Sequence, residues 1–148
     1  YRRQRQMCIR DRSAFVKDLV DEAGGAIVVA HPYRRVYRES APQDSLSYEE
    51  MLRRAQRNDV FELVDAVEIS NGRGSEKENS FSRTLSERLE LPGTGASDAH
   101  KLDDIGTFAT LFQDEVGSLA DFISAIKSGR FSASKFRPFD DWEGKDII

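Results

Sequence analysis

Only two histidines occur in the 148 residues, and each closes an apolar run of β-strand character. His31 follows Ala26-Ile27-Val28-Val29-Ala30 and precedes Pro32; His100 closes Gly95-Ala96-Ser97-Asp98-Ala99. Strand ends are where α/β sheets and barrels present side chains to a ligand. Asp98 stands two residues before His100, so in an extended segment both side chains leave one face. A hard carboxylate oxygen beside a borderline imidazole nitrogen is the donor pair of a divalent metal site. The competing reading is structural: Asp98 caps a following helix, His100 hydrogen-bonds it, and His31 is simply held in the fold. Spacing alone leaves both readings open. Pro32 removes a backbone donor and ends its strand, which favours an exposed edge for His31 over the core.

Other polar residues fall near these motifs. Glu68 lies inside the apolar run Ala66-Val67-Glu68-Ile69. A buried glutamate there is costly unless paired, so it either faces a polar site or meets solvent or an arginine. Asn71 and Arg73 follow at the C-terminal end of that run. Arg34, Arg35 and Lys101 follow the two histidine motifs directly. A guanidinium fork in that place can hold a phosphate through two parallel hydrogen bonds. Taken singly, each of these cations also reads as a solvated surface charge.

The elements that must position these residues alternate between helix and strand. Ser13 can cap a helix carrying Phe15, Leu19, Val20 and Ala23 on one face, stopped by Gly24-Gly25. Ala26–Ala30 is short and apolar, as suits a parallel strand buried on both faces. Pro32–Gln43 reads as a loop. Ser47 to about Asn58 reads as a helix with Ser47 as N-cap and Glu50 completing a capping box. Ala66–Ser70 is a second strand that ends on the turn signal Asn71-Gly72. Glu76–Leu89 is a helix, Thr94–Ser97 a third strand and Thr107–Phe112 a fourth. Ser118–Lys127 is a helix whose stripe is Leu119, Phe122, Ile123 and Ile126, stopped by Gly129. Such repeats imply an α/β fold with three or four mostly parallel strands and flanking helices. Residues 13–130 form that unit, and the tail 131–148, with Trp142, has no clear period.

Composition narrows the classes. No apolar stretch approaches the roughly 20 residues that span a bilayer, so no membrane partner is expected. Cys8 stands alone and is compatible with a reducing cytoplasm. Residues 1–12 hold five arginines and one aspartate, +4, and read as a disordered basic arm. The same string also has the look of translated sequencing-adaptor read-through, in which case the natural sequence begins near Ser13. The whole chain carries −4, so the remainder carries −8. That acidic body argues against a general nucleic-acid-binding protein, the function the basic arm alone would suggest.

AHPYRR, DAVEISNGR and GTGASDAHKLDDIGTFATLF, in this order and spacing, resemble the second half of a PHP domain, the polymerase and histidinol phosphatase superfamily. The likeness runs from about residue 15 to about residue 130. It implies part of a distorted (β/α)7 barrel, with divalent ions (Zn, Mn, Fe or Mg) at the C-terminal face of its strands. It implies hydrolysis of phosphate esters: a small phosphomonoester, a nucleotide or a nucleic-acid end. By position, His31, Asp98 and His100 match metal ligands, and Asp98 and His100 would serve the reacting centre. Glu68 and Asn71 match an E-x-x-N-G element that supports the site or faces substrate; Arg34 is a phosphate contact by location only. The family's opening H-x-H pair has no counterpart among two histidines, which implies a missing N-terminal half and little activity of this chain alone. The second reading is a non-catalytic PHP-like module that binds a nucleotide or a partner. The oligomeric state is not legible.

Overall fold

The computed structural model describes residues 2–34 and 46–135, with side chains from Arg12 onward. Helix α1 (Arg2–Glu22) leads to a short strand β1 (Val28–Val29). Helix α2 (Leu46–Gln56) and a 3-10 turn (Asp59–Leu63) precede strand β2 (Ala66–Asn71). Then come α3 (Glu76–Leu89), β3 (Gly93–Ala96), a 3-10 turn (Leu102–Asp104), β4 (Phe108–Phe112), α4 (Leu119–Ser128) and β5 (Phe131–Lys135).

Strands β1, β2 and β3 form a parallel sheet in that order, with β2 central. Its two inner faces explain the apolar β2 sequence, because successive side chains point to opposite sides. Val67 joins a core with Tyr48, Leu52 and Ala55 of α2, Phe61, and Phe81 and Leu85 of α3. Ala66 joins a second cluster with Ile126 of α4 and Phe131 of β5.

The expected partial barrel is seen only as this coarser α/β arrangement. The described residues form an open three-stranded sheet and a separate two-stranded one. The expected fourth strand exists as β4, yet it runs antiparallel to β5, from Phe108↔Lys135 to Phe112↔Phe131. Residues 131–135, read as the start of an irregular tail, complete that hairpin-like pair. The physical reason is the short α4 connection, which returns the chain alongside β4 and lets Phe131 fill the space beside Phe112 and Ile126. Side-chain hydroxyls tie β4 to β3. Thr110 Oγ1 accepts from the Gly95 amide at 3.1 Å and donates to the Gly95 carbonyl at 2.9 Å. Gly95 permits that approach, since a Cβ there would lie 2.7 Å from the Ala109 carbonyl oxygen.

Helix ends follow local chemistry. Ser75 caps α3 through the Glu78 amide, and Glu78 returns a bond to the Ser75 amide, a complete capping box. Ser118 caps α4 and Gly129 (φ 68°) closes it in the left-handed region. Helix α2 begins at Leu46, so Ser47 lies inside its first turn and is not its N-cap. Helix α1 does not begin at Ser13. The basic segment expected to be disordered continues the same helix back to Arg2. Arginine, glutamine and methionine are good helix formers and no glycine or proline interrupts them. Phe15 and Leu19 of α1, and Leu119 and Phe122 of α4, remain exposed, so those two apolar stripes are only partly covered in this structure.

Candidate functional site

Parallel pairing brings the ends of β1, β2 and β3 to one edge of the sheet. His31 lies two residues beyond β1, Asn71 ends β2, and Asp98 lies two residues beyond β3. Among the described residues, three that are not glycine have positive φ: His31 (26°), Asp98 (49°) and Glu90 (54°). Glu90 is the C-cap of α3, where a left-handed residue is ordinary. His31 and Asp98 have no such reason. Left-handed backbone at residues of this kind costs about 1–3 kcal/mol and persists where surrounding bonds hold it.

Those bonds are present. The His31 amide donates to Glu68 Oε2 at 3.0 Å, and the Arg34 amide donates to the His31 carbonyl at 3.1 Å. The Arg34 guanidinium pairs with the Asp98 carboxylate across the sheet edge. In the Asp98 loop, Ser97 Oγ accepts from the Gly106 amide and donates to the Phe108 carbonyl. Gly72 carries no side chain for a steric reason. Its amide donates to the Ala96 carbonyl at 2.9 Å, and a Cβ would strike Thr107 Oγ1 and the Ser97 carbonyl.

Glu68 is 5% exposed, and amide N–H donors satisfy it. Besides the His31 amide, Asn71 Nδ2 donates to its Oε1 at 2.7 Å. Residues three apart on a strand normally face opposite ways. Here Glu68 pairs with Thr94 and Asn71 with Ala96, which are only two apart, because a bulge inserts one residue between Glu68 and Ser70. The bulge returns Asn71 to the face of Glu68. Asn71 Oδ1 accepts from the Arg73 amide, and its backbone is clasped at both polar atoms by the Asn79 side chain. The E-x-x-N element is thus a buried scaffold beneath the His31 turn.

A small cleft, with room for roughly one water molecule, is lined by His31, Arg34, Glu68, Asn71, Gly74, Glu78, Asn79 and Ser82. Four of the six residues to which the family resemblance gives a role, His31, Arg34, Glu68 and Asn71, therefore meet there, and Asp98 joins through Arg34. His100 stands outside: its side chain is 62% exposed, and Nδ1 lies 2.9 Å from the Asp98 carbonyl oxygen. With the proton on Nδ1 the ring donates to that carbonyl and keeps the Nε2 lone pair open. Lys101 reaches only to 4.0 Å from Asp104, Arg73 is exposed, and Arg35 lies outside the described residues. Sequence reasoning missed Asn79 and Ser82. Their signal was a polar stripe, Asn79-Ser82-Ser86, at helical spacing on the buried side of α3.

The Asp98 carboxyl is held below its ordinary value of 3.8. Burial by itself would raise it, but the Asn71 side chain and the charges of Arg34, His31 and His100 outweigh burial. A carboxyl depressed in the folded state stabilises fully above its unfolded pKa and loses that contribution as pH falls through the folded one. Wild type is therefore expected to exceed Asp98→Asn in urea midpoint at neutral pH, with the gap closing below about pH 4. An equal gap at pH 6 and pH 3 would remove Asp98 from the acid response.

By donor chemistry, two imidazoles and a carboxylate suit Zn, Mn or Fe. By arrangement they do not fit an ion here. Among the described residues no three of His, Cys, Asp and Glu gather into a group that could hold one. The carboxylate is already met by a guanidinium. Among the described residues, too, no helix is long and apolar enough to cross a membrane.

Residues 76–131 match the family model PHP_C, described as PHP-associated. The C-terminal region is similar to a PHP-associated domain, over 56 of the 148 residues. It begins at α3 and runs through β3, the Asp98–His100 loop, β4 and α4 to Phe131. The PHP-associated region thus contains Asp98 and His100, whereas His31, Arg34, Glu68 and Asn71 lie before it and join it through hydrogen bonds and the Arg34–Asp98 pair. No curated protein and no solved structure matches the chain.

Proposed function

We propose that the sheet edge formed by His31, Asn71 and Asp98 is part of a phosphoester-binding site of a metal-dependent hydrolase in the cytoplasm. The observation that carries this reading is the placement of left-handed backbone at His31 and Asp98, each two residues beyond an outer strand of the parallel sheet. Strain held at one end of a parallel sheet is a property of ligand sites. The PHP-associated region supports a PHP context, in which phosphoester hydrolysis is common.

The substrate class is a phosphorylated small molecule, a nucleotide or a nucleic-acid end. Arg34 is the phosphate contact: its planar fork matches two phosphate oxygens and it lines the cleft. Asn71 and Glu68 hold the His31 turn in place and line the same cleft as Arg34. His31, Asp98 and His100 are the ligands offered to a divalent ion (Zn, Mn, Fe or Mg), and further donors are needed to complete its shell. Since the donors do not gather as they stand, the part assigned to this chain's own residues is recognition and positioning.

The test is turnover of phosphomonoesters, nucleotides and 5′-phosphorylated oligonucleotides with Mn or Zn present. The expected result for this chain is little or no turnover by itself. Turnover restored by a segment that adds further metal donors, and lost in Asp98→Asn, supports a hydrolase. Metal and phosphate binding without turnover in that completed protein favours the second reading, a non-catalytic module for a nucleotide or partner. The Arg34–Asp98 pair is the observation on that side, because it leaves the carboxylate committed to a guanidinium.

A further inference from the structure

We propose that the chain forms a two-fold dimer in which the exposed apolar stripe of α1 in each copy lies on the exposed apolar stripe of α4 in the other. The proposal is independent of the phosphoester reading. Helices α2 and α3 bury their apolar sides completely, with Tyr48, Leu52, Phe81 and Leu85 all in one core. Helix α4 does not. It buries Ala125 and Ile126 beside Phe131, yet Leu119 is 74% exposed and Phe122 is exposed on the side away from the Phe112 ring. A helix that is apolar on two sides has two surfaces to cover, and the β4–β5 pair covers one.

Helix α1 has the matching lack. Phe15, Val16 and Leu19 share a face by their spacing; Phe15 is 63% exposed and the other two about half. None of the described side chains of α1 is buried, and the helix leans mainly on the 3-10 turn Asp59–Leu63. At 21 residues it is about 31 Å long, enough to reach across a second copy.

Charge selects a second copy as the occupant. Arg2–Lys17 of α1 holds six basic residues and one acidic residue. Gln113–Ile126, which leads into α4 and forms most of it, holds Asp114, Glu115 and Asp121 and no basic residue; Asp114 is met by Arg130 at 2.6 Å. Packing α1 on α1, or α4 on α4, brings like charges together. Packing α1 on α4 brings opposite charges to the rim of an apolar contact. Two-fold symmetry makes that contact twice and closes the assembly.

Sedimentation equilibrium of the full chain, from low micromolar to several hundred micromolar, tests this with wild type, Phe15→Glu, Leu119→Glu and an equal mixture of the two variants. Wild type is expected to dimerise with a Kd on the order of 10 µM, as suits a small interface. Each variant puts a carboxylate into both contacts and is expected to weaken the dimer about a hundredfold, about tenfold per contact. In the mixture one contact stays intact, between α1 of the Leu119→Glu chain and α4 of the Phe15→Glu chain. The mixed dimer is therefore expected to form about tenfold more tightly than either variant alone. Both substituted positions are exposed, so the dilute monomers should keep the wild-type urea midpoint. Leu19→Glu replaces Phe15→Glu if that chain folds poorly. A Leu119→Glu chain that dimerises like wild type, or a mixture no tighter than its parts, overturns the proposal. So does a wild type that stays monomeric throughout; a lowered urea midpoint for Leu119→Glu in that case assigns the α4 stripe to another part of the same chain.

Discussion

Replacing Glu68 with leucine is expected to destabilise the protein by about 2–5 kcal/mol. Leucine fills a similar volume, so the loss comes from polar groups and not from a cavity. Two N–H donors lose their acceptor: the His31 amide and the Asn71 side chain, at 3.0 and 2.7 Å from the carboxyl. A buried donor left unsatisfied costs about 1–3 kcal/mol, and there are two. Glu68→Gln separates the contributions. Its amide retains one acceptor oxygen, so it can serve one donor well and should lose about half as much. The effect should also be local. With the Glu68 bond gone, the His31 turn keeps the Arg34 amide bond to its carbonyl but loses the acceptor of its own amide, which should exchange with solvent faster. Urea midpoints and amide exchange measure both. A change below about 0.5 kcal/mol, the range of an ordinary surface substitution, would show that Glu68 does not support the turn.

Phe81→Ala is expected to cost about 3–5 kcal/mol, as for aromatic truncation in a close-packed core. Phe81 is 1% exposed and meets two other rings edge-on: Tyr33 at 5.1 Å and Tyr48 at 5.5 Å between centroids. Tyr33 follows His31 by two residues, so this cluster anchors the segment that carries the histidine and Arg34. Phe81 is also two residues from Asn79, which clasps Asn71. Losing the ring should therefore loosen the candidate site as well as the core. Leu119→Ala is the control. At 74% exposed it should change stability by less than about 0.5 kcal/mol. Equal urea midpoints for the two variants would mean that the α2–α3 core is not where the stability resides.

Much of the positioning is legible in the sequence. The sequence places a helix at Glu76–Leu89, and α3 has those bounds. Ser118 and Gly129 punctuate α4 as capping chemistry requires. Burial on both faces, expected of Ala26–Ala30, does not hold there, since β1 is two residues long and Val28 is 40% exposed; the second apolar run, β2, is the strand buried along its length. Where local chemistry was silent, the sequence reading fell short. The Arg-rich start lacked an apolar stripe, and a search for amphipathic period passes over a helix made of intrinsically good formers. Strand direction was equally hidden. Nothing within Phe108–Phe112 reveals that its partner is β5 and not a parallel neighbour, because pairing depends on where α4 returns the chain.

The site divides along the same line. Sequence alone determined which residues end the strands, since an apolar run interrupted by His-Pro or Asp-Ala-His is a local pattern that depends on no distant partner. It thereby singled out His31, Asp98 and His100, and the oddity of a glutamate inside β2. Only the tertiary structure decided what those residues meet. Glu68 was open to solvent, an arginine or a polar site; the bulge in β2 gave it Asn71 and the His31 amide. Arg34 and Asp98 are 64 positions apart, and no local pattern pairs them. Parallel packing of β1, β2 and β3 brings their ends together, and that long-range geometry commits Asp98 to a guanidinium while leaving His100 at the surface.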